Sequence, residues 1–116
     1  MDVFYHIPMF VNDMKSGYKI DWSDEASENL NSIIEYLSVT WTNREITRFF
    51  NKLDDRINII SRNPLAFPQF NFGVNIRRCV ITEQTTIYYE IKKDSIVIIS
   101  LFDNRKNPDS LIIDCD

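Results

Sequence analysis

The pattern of apolar and polar positions divides most of the chain into a strand, two helices and three further strands. Tyr18, Ile20 and Trp22 alternate with Lys19 and Asp21, which is the period-two pattern of a strand with one buried face. Directly afterwards the apolar spacing changes to steps of three and four residues, which is typical of amphipathic helices. The sequence therefore predicts a first strand that leads straight into a helical region.

Two helices are predicted, with only two or three residues between them. Ser23 is the expected N-cap of the first helix, whose apolar stripe ends at Trp41. Thr42 and Glu45 have the spacing of a capping box and begin the second helix. Pro64 ends it, because proline disfavours helical geometry in the residue before it. A connection this short favours an antiparallel hairpin. The two stripes consist of Ala26, Leu30, Ile33, Ile34, Leu37 and Trp41, and of Ile46, Phe49, Phe50, Leu53, Ile57 and Ile60.

The loop after the second helix, NPLAFPQF, and the residues just beyond it are rich in aromatic side chains. Phe67, Phe70 and Phe72 lie within six residues of one another, with Pro68 among them. We expect these rings to fill the gap where the helices meet the sheet. Stacking on nucleic-acid bases is the alternative that such spacing leaves open.

The segment that follows predicts three strands joined by short polar turns at residues 83–84 and 92–94. In the first strand Arg78 shares the phase of Ile76 and Val80, whereas Arg77 shares the phase of Cys79. In the second strand, Ile87, Tyr89 and Ile91 point to one layer, and Thr86, Tyr88 and Glu90 point to the other. Residues 95–102 are apolar on both faces, which is typical of a central strand. Residues 111–113 are expected to add a short terminal element.

These elements predict an α+β fold in the order β-α-α-β-β-β. The sheet is small and mainly antiparallel, with the two-helix hairpin packed on one face. The other face would then meet a ligand or a macromolecular partner. On it we expect Arg77 and Tyr88, with Arg105 arriving from the end of the last strand. Arg78 is expected either to pair with an acidic residue at the helix layer or to lie at the rim.

A chain of 116 residues fits one domain, which we assign to residues 18–116. Residues 1–17 are predicted to be an N-terminal extension, either disordered or serving as an added edge strand or partner contact. Met14 is an alternative start. His6, the one histidine of the sequence, lies in this extension. The extension lacks the basic start and cleavage site of a signal peptide, and no apolar run is long enough to cross a membrane.

Net charge and cysteine content narrow the classes of protein to which the chain could belong. The formal net charge is −4, which argues against a strongly basic nucleic-acid-binding domain. Six basic and four acidic side chains lie between Ile76 and Lys106, so a modest positive surface is expected there. Cys79 and Cys115 form neither a disulfide framework nor a zinc motif. We therefore expect a reducing, cytoplasmic setting, a buried Cys79, and no metal or cofactor.

Several segments in series resemble the RelE/ParE superfamily of bacterial toxins from type II toxin–antitoxin operons. They are the helical hairpin, the loop NP-x-x-FP, and then IRRCVI, TTIYYEI and SIVIISLFDNRKNP. The resemblance covers roughly residues 18–108. It implies a cytoplasmic, growth-inhibiting toxin that a cognate antitoxin holds inactive, with oligomers possible in the presence of the antitoxin.

Members of this superfamily act in two ways, and the resemblance implies different roles for the same residues. RelE-like toxins cut mRNA at the ribosome, and in that case Arg77, Arg105 and Tyr88 would be catalytic, with Tyr89 close by. The chemistry needs cations on the phosphate and groups that move protons. ParE-like toxins poison DNA gyrase. The residues expected to bind the target or the antitoxin are Arg77, Arg78, Tyr88, Arg105 and Lys106.

Departures from the nuclease pattern favour a ParE-like gyrase poison. Thr86 stands where ribosome-dependent members often carry an arginine, and neither histidine nor tyrosine follows Phe102. The net negative charge also fits poorly with binding to ribosomal RNA. A RelE-like endoribonuclease is the first alternative. A non-catalytic protein-binding module, in which the arginines brace the sheet or bind an antitoxin, is the second.

Overall fold

The computed structural model describes residues 17–70 and 75–105. In chain order its elements are β1 (Lys19–Trp22), α1 (Asp24–Thr40), α2 (Asn43–Arg62), β2 (Ile76–Val80), β3 (Thr85–Ile91) and β4 (Ser95–Asp103). The strands form one sheet in the order β1-β4-β3-β2. Strand β1 runs parallel to β4, and the other neighbouring strands are antiparallel. The predicted α+β architecture is confirmed, including the central place of β4.

Side chains at the two helix starts fix where the helices begin. The Ser23 hydroxyl accepts a hydrogen bond from the Ala26 N–H at 2.9 Å and donates to the Ile99 carbonyl at 2.7 Å, which ties α1 to β4. The Thr42 hydroxyl accepts from the Glu45 N–H at 3.2 Å, and the Glu45 carboxylate accepts from the Thr42 N–H at 2.9 Å. Both caps are those that the sequence predicts.

The hydrophobic core lies between the helical hairpin and one face of the sheet. Its largest buried apolar and aromatic side chains include Leu30, Ile33, Leu37, Leu53, Ile57, Ile60, Ile81, Ile87, Tyr89, Ile96 and Ile98. Because alternate residues of a strand point to opposite sides, the side chains between these core positions point away from both helices. We call that second surface of β2, β3 and β4 the distal face.

Strand β4 contains an irregularity that changes which side chains reach the core. Tyr88 pairs with Ser100 and its neighbour Tyr89 pairs with Ile98, which leaves Ile99 as an extra residue opposite β3. Such a β-bulge reverses the alternation of all later positions in the strand. Positions after Ile99 that would point to the distal face in a regular strand therefore point toward the helices.

The loop before β2 covers part of the outer edge of the sheet. The Phe70 N–H donates to the Ile76 carbonyl at 2.8 Å, and the Arg78 N–H donates to the Pro68 carbonyl at 3.1 Å. Edge strands otherwise present unpaired backbone groups that favour association with other chains. The loop therefore protects the first half of β2 from such pairing.

The aromatic residues of this loop divide between the two sides of the sheet. Phe67 packs against the core, which confirms the prediction that it fills the space between helix and sheet. Phe70 instead meets Tyr88 edge-on on the distal face, with ring centroids 5.1 Å apart. The same prediction for Phe72 falls outside the described residues.

The first described residues are fastened to the end of α2. The Tyr18 N–H donates to the Ser61 carbonyl at 2.9 Å, and the Ser61 hydroxyl donates to the Tyr18 carbonyl at 2.8 Å. Gly17 precedes this pair with a φ of +147°, a conformation that L side chains rarely adopt. The predicted extension before Gly17 and the terminal element at residues 111–113 lie outside the described residues.

Replacing Gly17 with alanine should destabilise the fold by roughly 1–3 kcal/mol, because the new side chain adds backbone strain and a steric clash. An alanine Cβ would lie 2.6 Å from the Ser61 hydroxyl oxygen and 2.8 Å from its carbonyl oxygen. Urea denaturation followed by circular dichroism measures the loss. Glu35→Ala, an exposed change on α1, serves as the control. An unchanged midpoint for Gly17→Ala would show that the contacts between Tyr18 and Ser61 adapt without loss of stability.

Candidate functional site

A groove of about 710 Å³, which we call the distal groove, lies at the β2 edge of the distal face, where residues of α2 also border it. Its lining includes Arg78, Tyr88 and Phe102 from the strands, Pro68 from the loop and Arg56 from α2. Arginine and aromatic side chains supply much of the binding energy at protein interfaces when they are desolvated. The groove is therefore suited to contact a macromolecule.

Arg78 is the guanidinium that the strands contribute to this groove. It pairs with Tyr88 across β2 and β3, and its Cζ lies 5.7 Å from the centroid of the Phe70 ring. A cation over an aromatic face is attracted by the ring quadrupole. Arg78 was expected either to pair with an acidic residue at the helix layer or to lie at the rim. No ion pair of Arg78 is seen among the described residues, and the residue lines the groove instead. Tyr88 itself is only 8% exposed, so the phenol is a wall of the groove rather than a projecting group.

Arg77 lies on the opposite side of the sheet, and its expected place beside Tyr88 is wrong. It pairs with Tyr89, which is fully buried beneath the helices. Because neighbouring strand residues point to opposite faces, Arg77 shares the side of Cys79. Its Nη1 donates to the Phe67 carbonyl at 2.7 Å, and its Nε is buried without a hydrogen-bond partner in the described part of the chain. Arg77 braces the loop before β2.

Arg105 also lies on the helix side, and its expected arrival on the distal face is wrong. Its Nη2 binds Oδ2 of Asp103 at 2.7 Å and its Nε binds Oδ1 at 3.1 Å. Its Cζ lies 4.9 Å from the centroid of a Trp41 ring at the end of α1. Asp103 accepts a further hydrogen bond from the Thr85 hydroxyl at 2.6 Å. We call these four residues the Asp103 cluster, which joins β3 and β4 to the helical hairpin.

The bulge at Ile99 explains why Arg105 lies on the helix side. In a regular strand continued from Ile98, Asp103 would have pointed to the distal face and Arg105 would have followed it. The extra residue turns Asp103 to the helix side, where only 4% of its surface is exposed. The carboxylate then draws Arg105 to the same side.

The structure therefore does not bring together the three residues that a nuclease site would combine. Arg77 is paired with Tyr89, whereas Arg105 contacts Thr85 at the other end of β3. That separation along the strand is about 13 Å, at roughly 3.3 Å per residue. Tyr88 lies on the opposite face from both arginines. Lys106, the last of the predicted binding residues, lies outside the described residues.

Residues 20–108 match a family model described as the ParE toxin of the type II toxin–antitoxin system parDE. The chain belongs to the ParE toxin family. The match spans the helical hairpin, β2, β3, β4 and all but the first residue of β1, so the resemblance seen in the sequence is confirmed. No curated protein is similar enough in sequence to be matched.

Two solved structures support the fold of this ParE-family chain. One is a chromosomal ParDE toxin–antitoxin system from P. aeruginosa, with a TM-score of 0.61 and 10% identity over 72% of this chain and 92% of the other. The second is the E. coli DinJ–YafQ toxin–antitoxin complex, with a TM-score of 0.53 and 11% identity over 79% and 98% of the two chains. At such low identity the likeness concerns the fold alone.

Two buried groups on the helix side of the ParE-family fold hold their protons tightly. Burial raises the pKa of the Cys79 thiol to about 12, against the lowering effect of the Arg56 charge. Burial also raises the pKa of Tyr89 to about 12, with Cys79 adding to the shift and Arg77 opposing it. A general acid or base works best with a pKa near the operating pH. Neither group meets that condition near pH 7.

The pKa of Asp103 is shifted in the opposite direction, toward lower values. Burial alone would raise the pKa of this carboxyl, but hydrogen bonds from Arg105 and Thr85, together with the Arg105 charge, outweigh it and lower the pKa below 3.8. The carboxylate is therefore ionised at neutral pH and hydrogen-bonded to Arg105 and Thr85. It serves as an anchor for the guanidinium.

Replacing Tyr89 with phenylalanine should cost roughly 1–3 kcal/mol, because it leaves a buried carbonyl without its donor. The Tyr89 hydroxyl donates to the Pro64 carbonyl at 2.6 Å inside the core. Thermal or urea unfolding measures the loss, with the exposed Tyr36→Phe as the matched control.

The raised pKa of Tyr89 also makes this stabilisation depend on pH. The stabilisation that comes with the raised pKa of Tyr89 is complete below pH 10, the pKa of tyrosine in the unfolded chain. It is lost as the pH rises through about 12. Equal stability of wild type and Tyr89→Phe across that range would refute the role.

Sequence reasoning missed the Asp103 cluster, although one signal for it was present. Asp103 stands two residues before Arg105, and side chains two apart in an extended chain share a face. Pairing within the chain was therefore foreseeable. The contact of Arg105 with Trp41 was not, because it depends on how the helical hairpin sits on the sheet.

The described residues carry no cluster of three or more histidine, cysteine, aspartate or glutamate side chains that could hold a metal ion. No helix within residues 17–70 and 75–105 is both long enough and apolar enough to cross a membrane.

Proposed function

We propose that this chain is a growth-inhibiting toxin that acts on DNA gyrase in the cytoplasm and is neutralised by a cognate antitoxin. Its membership of the ParE family supports the toxin role. The superfamily resemblance implies gyrase as the target of ParE-like members. One of the similar structures is a toxin–antitoxin complex, which supports an antitoxin partner and assembly with it.

One observation carries the choice of gyrase over mRNA. Arg77 and Arg105 each bind an acceptor within the chain instead of being free to bind a phosphate. A nuclease of this superfamily needs free cations around one phosphate and groups that move protons beside them. Here one guanidinium holds the Phe67 carbonyl and the other holds the Asp103 carboxylate, each at 2.7 Å. This arrangement favours a toxin that acts by binding.

We further propose that the distal groove makes the contact with gyrase. Arg78 supplies a charged group, and the exposed Val80 and the partly exposed Phe102 supply apolar surface beside it. Arg77 and Arg105 then act indirectly, because they hold the loop and the strand end that border the groove. Lys106 remains a predicted contact that lies just beyond the described residues.

One observation favours a RelE-like endoribonuclease as the second candidate. Arg78 and Tyr88 are direct cross-strand neighbours in the same groove. A guanidinium holding the phosphate beside a phenol would be a minimal arrangement for attack by a ribose 2′-hydroxyl. In that case the catalytic arginine would be Arg78 rather than Arg77.

Two assays run in parallel test the proposal. Purified protein should inhibit DNA supercoiling by gyrase and leave mRNA intact on programmed ribosomes, and induction of the protein alone should arrest growth. Cleaved mRNA with normal supercoiling would instead identify the endoribonuclease. Unchanged growth with soluble protein present, and no effect in either assay, would identify a non-catalytic binding module.

A further inference from the structure

A row of basic side chains runs along the outer side of α2. Arg44, Arg48, Lys52 and Arg56 recur at four-residue steps. Residues four apart are neighbours on a helix surface, so the row covers about 18 Å at roughly 1.5 Å per residue. The first three side chains are exposed and Arg56 is partly exposed at the edge nearest the sheet. We call this row the α2 stripe.

The fold does not neutralise most of the α2 stripe. Within residues 17–70 and 75–105, the side chains of Arg44, Arg48 and Lys52 take part in none of the hydrogen bonds or ion pairs. The two acidic residues on this side of α2 do not pair with these three side chains. Glu45 caps the helix through the Thr42 N–H, and Asp55 lies 3.6 Å from Arg56.

Like charges at four-residue spacing destabilise a helix. The α2 stripe contains three such pairs in succession, in a protein whose net charge is −4. A row of this kind works against the stability of the domain that carries it. An acidic partner along α2 would relieve this repulsion.

The stripe ends at an exposed apolar patch. Arg56 donates through Nε to the Val80 carbonyl at 3.3 Å, and the Val80 side chain is 54% exposed. Ile59, one turn beyond Arg56, is 38% exposed and borders the same groove as Val80. The surface therefore combines a positive row with an apolar terminus.

We propose that the α2 stripe docks an acidic amphipathic helix of a protein partner. Carboxylates at four-residue spacing would face Arg44, Arg48 and Lys52, and apolar side chains at one end would cover Ile59 and Val80. Matching periods on the two helices let several charge pairs form at once. The proposal goes beyond the toxin function, because it holds whether the target is gyrase, the ribosome or neither.

A protein helix fits this surface better than a nucleic acid does. A DNA duplex carries about one negative charge per 1.7 Å on all sides, so most of its charge would face an acidic domain. An amphipathic helix directs its carboxylates to the stripe alone. A phosphate backbone also offers nothing apolar to cover Ile59 and Val80.

The first test uses a synthetic 22-residue alanine-rich peptide with glutamates at four-residue spacing and leucines at one end. Binding to the purified full chain is followed by fluorescence anisotropy. The affinity should fall at least ~10-fold when glutamine replaces glutamate or when NaCl rises from 0.1 to 1 M. Equal binding of the glutamine peptide, or no binding at about 1 mM peptide, would overturn the proposal.

Two matched triple variants localise the site. Arg44→Glu with Arg48→Glu and Lys52→Glu should weaken the acidic peptide at least ~30-fold. Lys19→Glu with Lys92→Glu and Lys93→Glu changes the net charge equally and should stay within about 2-fold. Equal losses would mean that only overall charge matters. A 20-base-pair DNA duplex that binds more tightly than the peptide, and is lost with the first variant, would identify a nucleic-acid surface. The peptide and salt comparisons use the wild-type chain, so they decide the matter even if a variant misfolds.

Discussion

Asp103→Ala should lower the free energy of unfolding by about 3 kcal/mol, because breaking a buried ion pair leaves the remaining charge without its partner. The Asp103 side chain is 1% exposed and that of Arg105 is 24% exposed. Water can therefore reach the abandoned guanidinium only in part, which sets the expected loss at the lower end of the usual range for buried pairs. Thr85 would lose its acceptor in the same step.

Urea denaturation at pH 7 measures this loss. Asp94→Ala, at the exposed turn between β3 and β4, should change the stability by no more than about 0.5 kcal/mol. Removing both partners, in Asp103→Ala with Arg105→Ala, should cost less than the sum of the single changes. If Asp103→Ala unfolds at the same urea concentration as the wild type, the cluster is not a stabilising anchor.

The same carboxylate gives the stability a dependence on acid. Its folded-state pKa is lowered, so its contribution is complete above the unfolded-state pKa and is lost as the pH falls through the folded-state value. The difference in stability between wild type and Asp103→Ala should therefore shrink as the pH falls below about 4. A difference that stays constant between pH 7 and pH 3 would exclude the ionised carboxylate as its source.

Arg78→Glu should relieve growth arrest and raise the concentration that half-inhibits gyrase at least ~30-fold, as expected for loss of a central interface arginine. The guanidinium lies in the distal groove against Phe70 and takes part in no ion pair among the described residues. Its replacement should therefore leave the fold intact. Circular dichroism and the urea midpoint check that assumption directly.

A matched variant separates the groove from overall charge. Lys93→Glu makes the same charge change in the exposed turn between β3 and β4. It should inhibit gyrase and arrest growth as the wild type does. Full inhibition by Arg78→Glu, or equal loss in both variants, would move the target contact away from the groove.

The helical half of the fold was predictable because its signals are local. The Thr42–Glu45 capping box and the apolar face of α2 around Leu53 each depend on residues within a few positions of one another. The central position of β4 followed from its apolar residues on both faces. Such features need no knowledge of distant contacts.

The candidate site was predictable only in part, because its geometry depends on pairings between strands. The phase of β2 correctly separates Arg77 from Arg78, but it does not say which of the two the helices cover. The buried Cys79, in phase with Arg77, was the clue that decides it. The bulge at Ile99 carries no glycine or other local signal, yet it moves Arg105 to the helix side.

The proposed contact between the distal groove and gyrase is tested most directly by photocrosslinking. A photoreactive residue in place of Thr86, inside the groove, should crosslink to a gyrase subunit when the two proteins are mixed. The same residue in place of Tyr36, exposed on α1, should not. A crosslink from position 36 with none from position 86 would contradict the account, because it would place gyrase against the helices instead of the distal face.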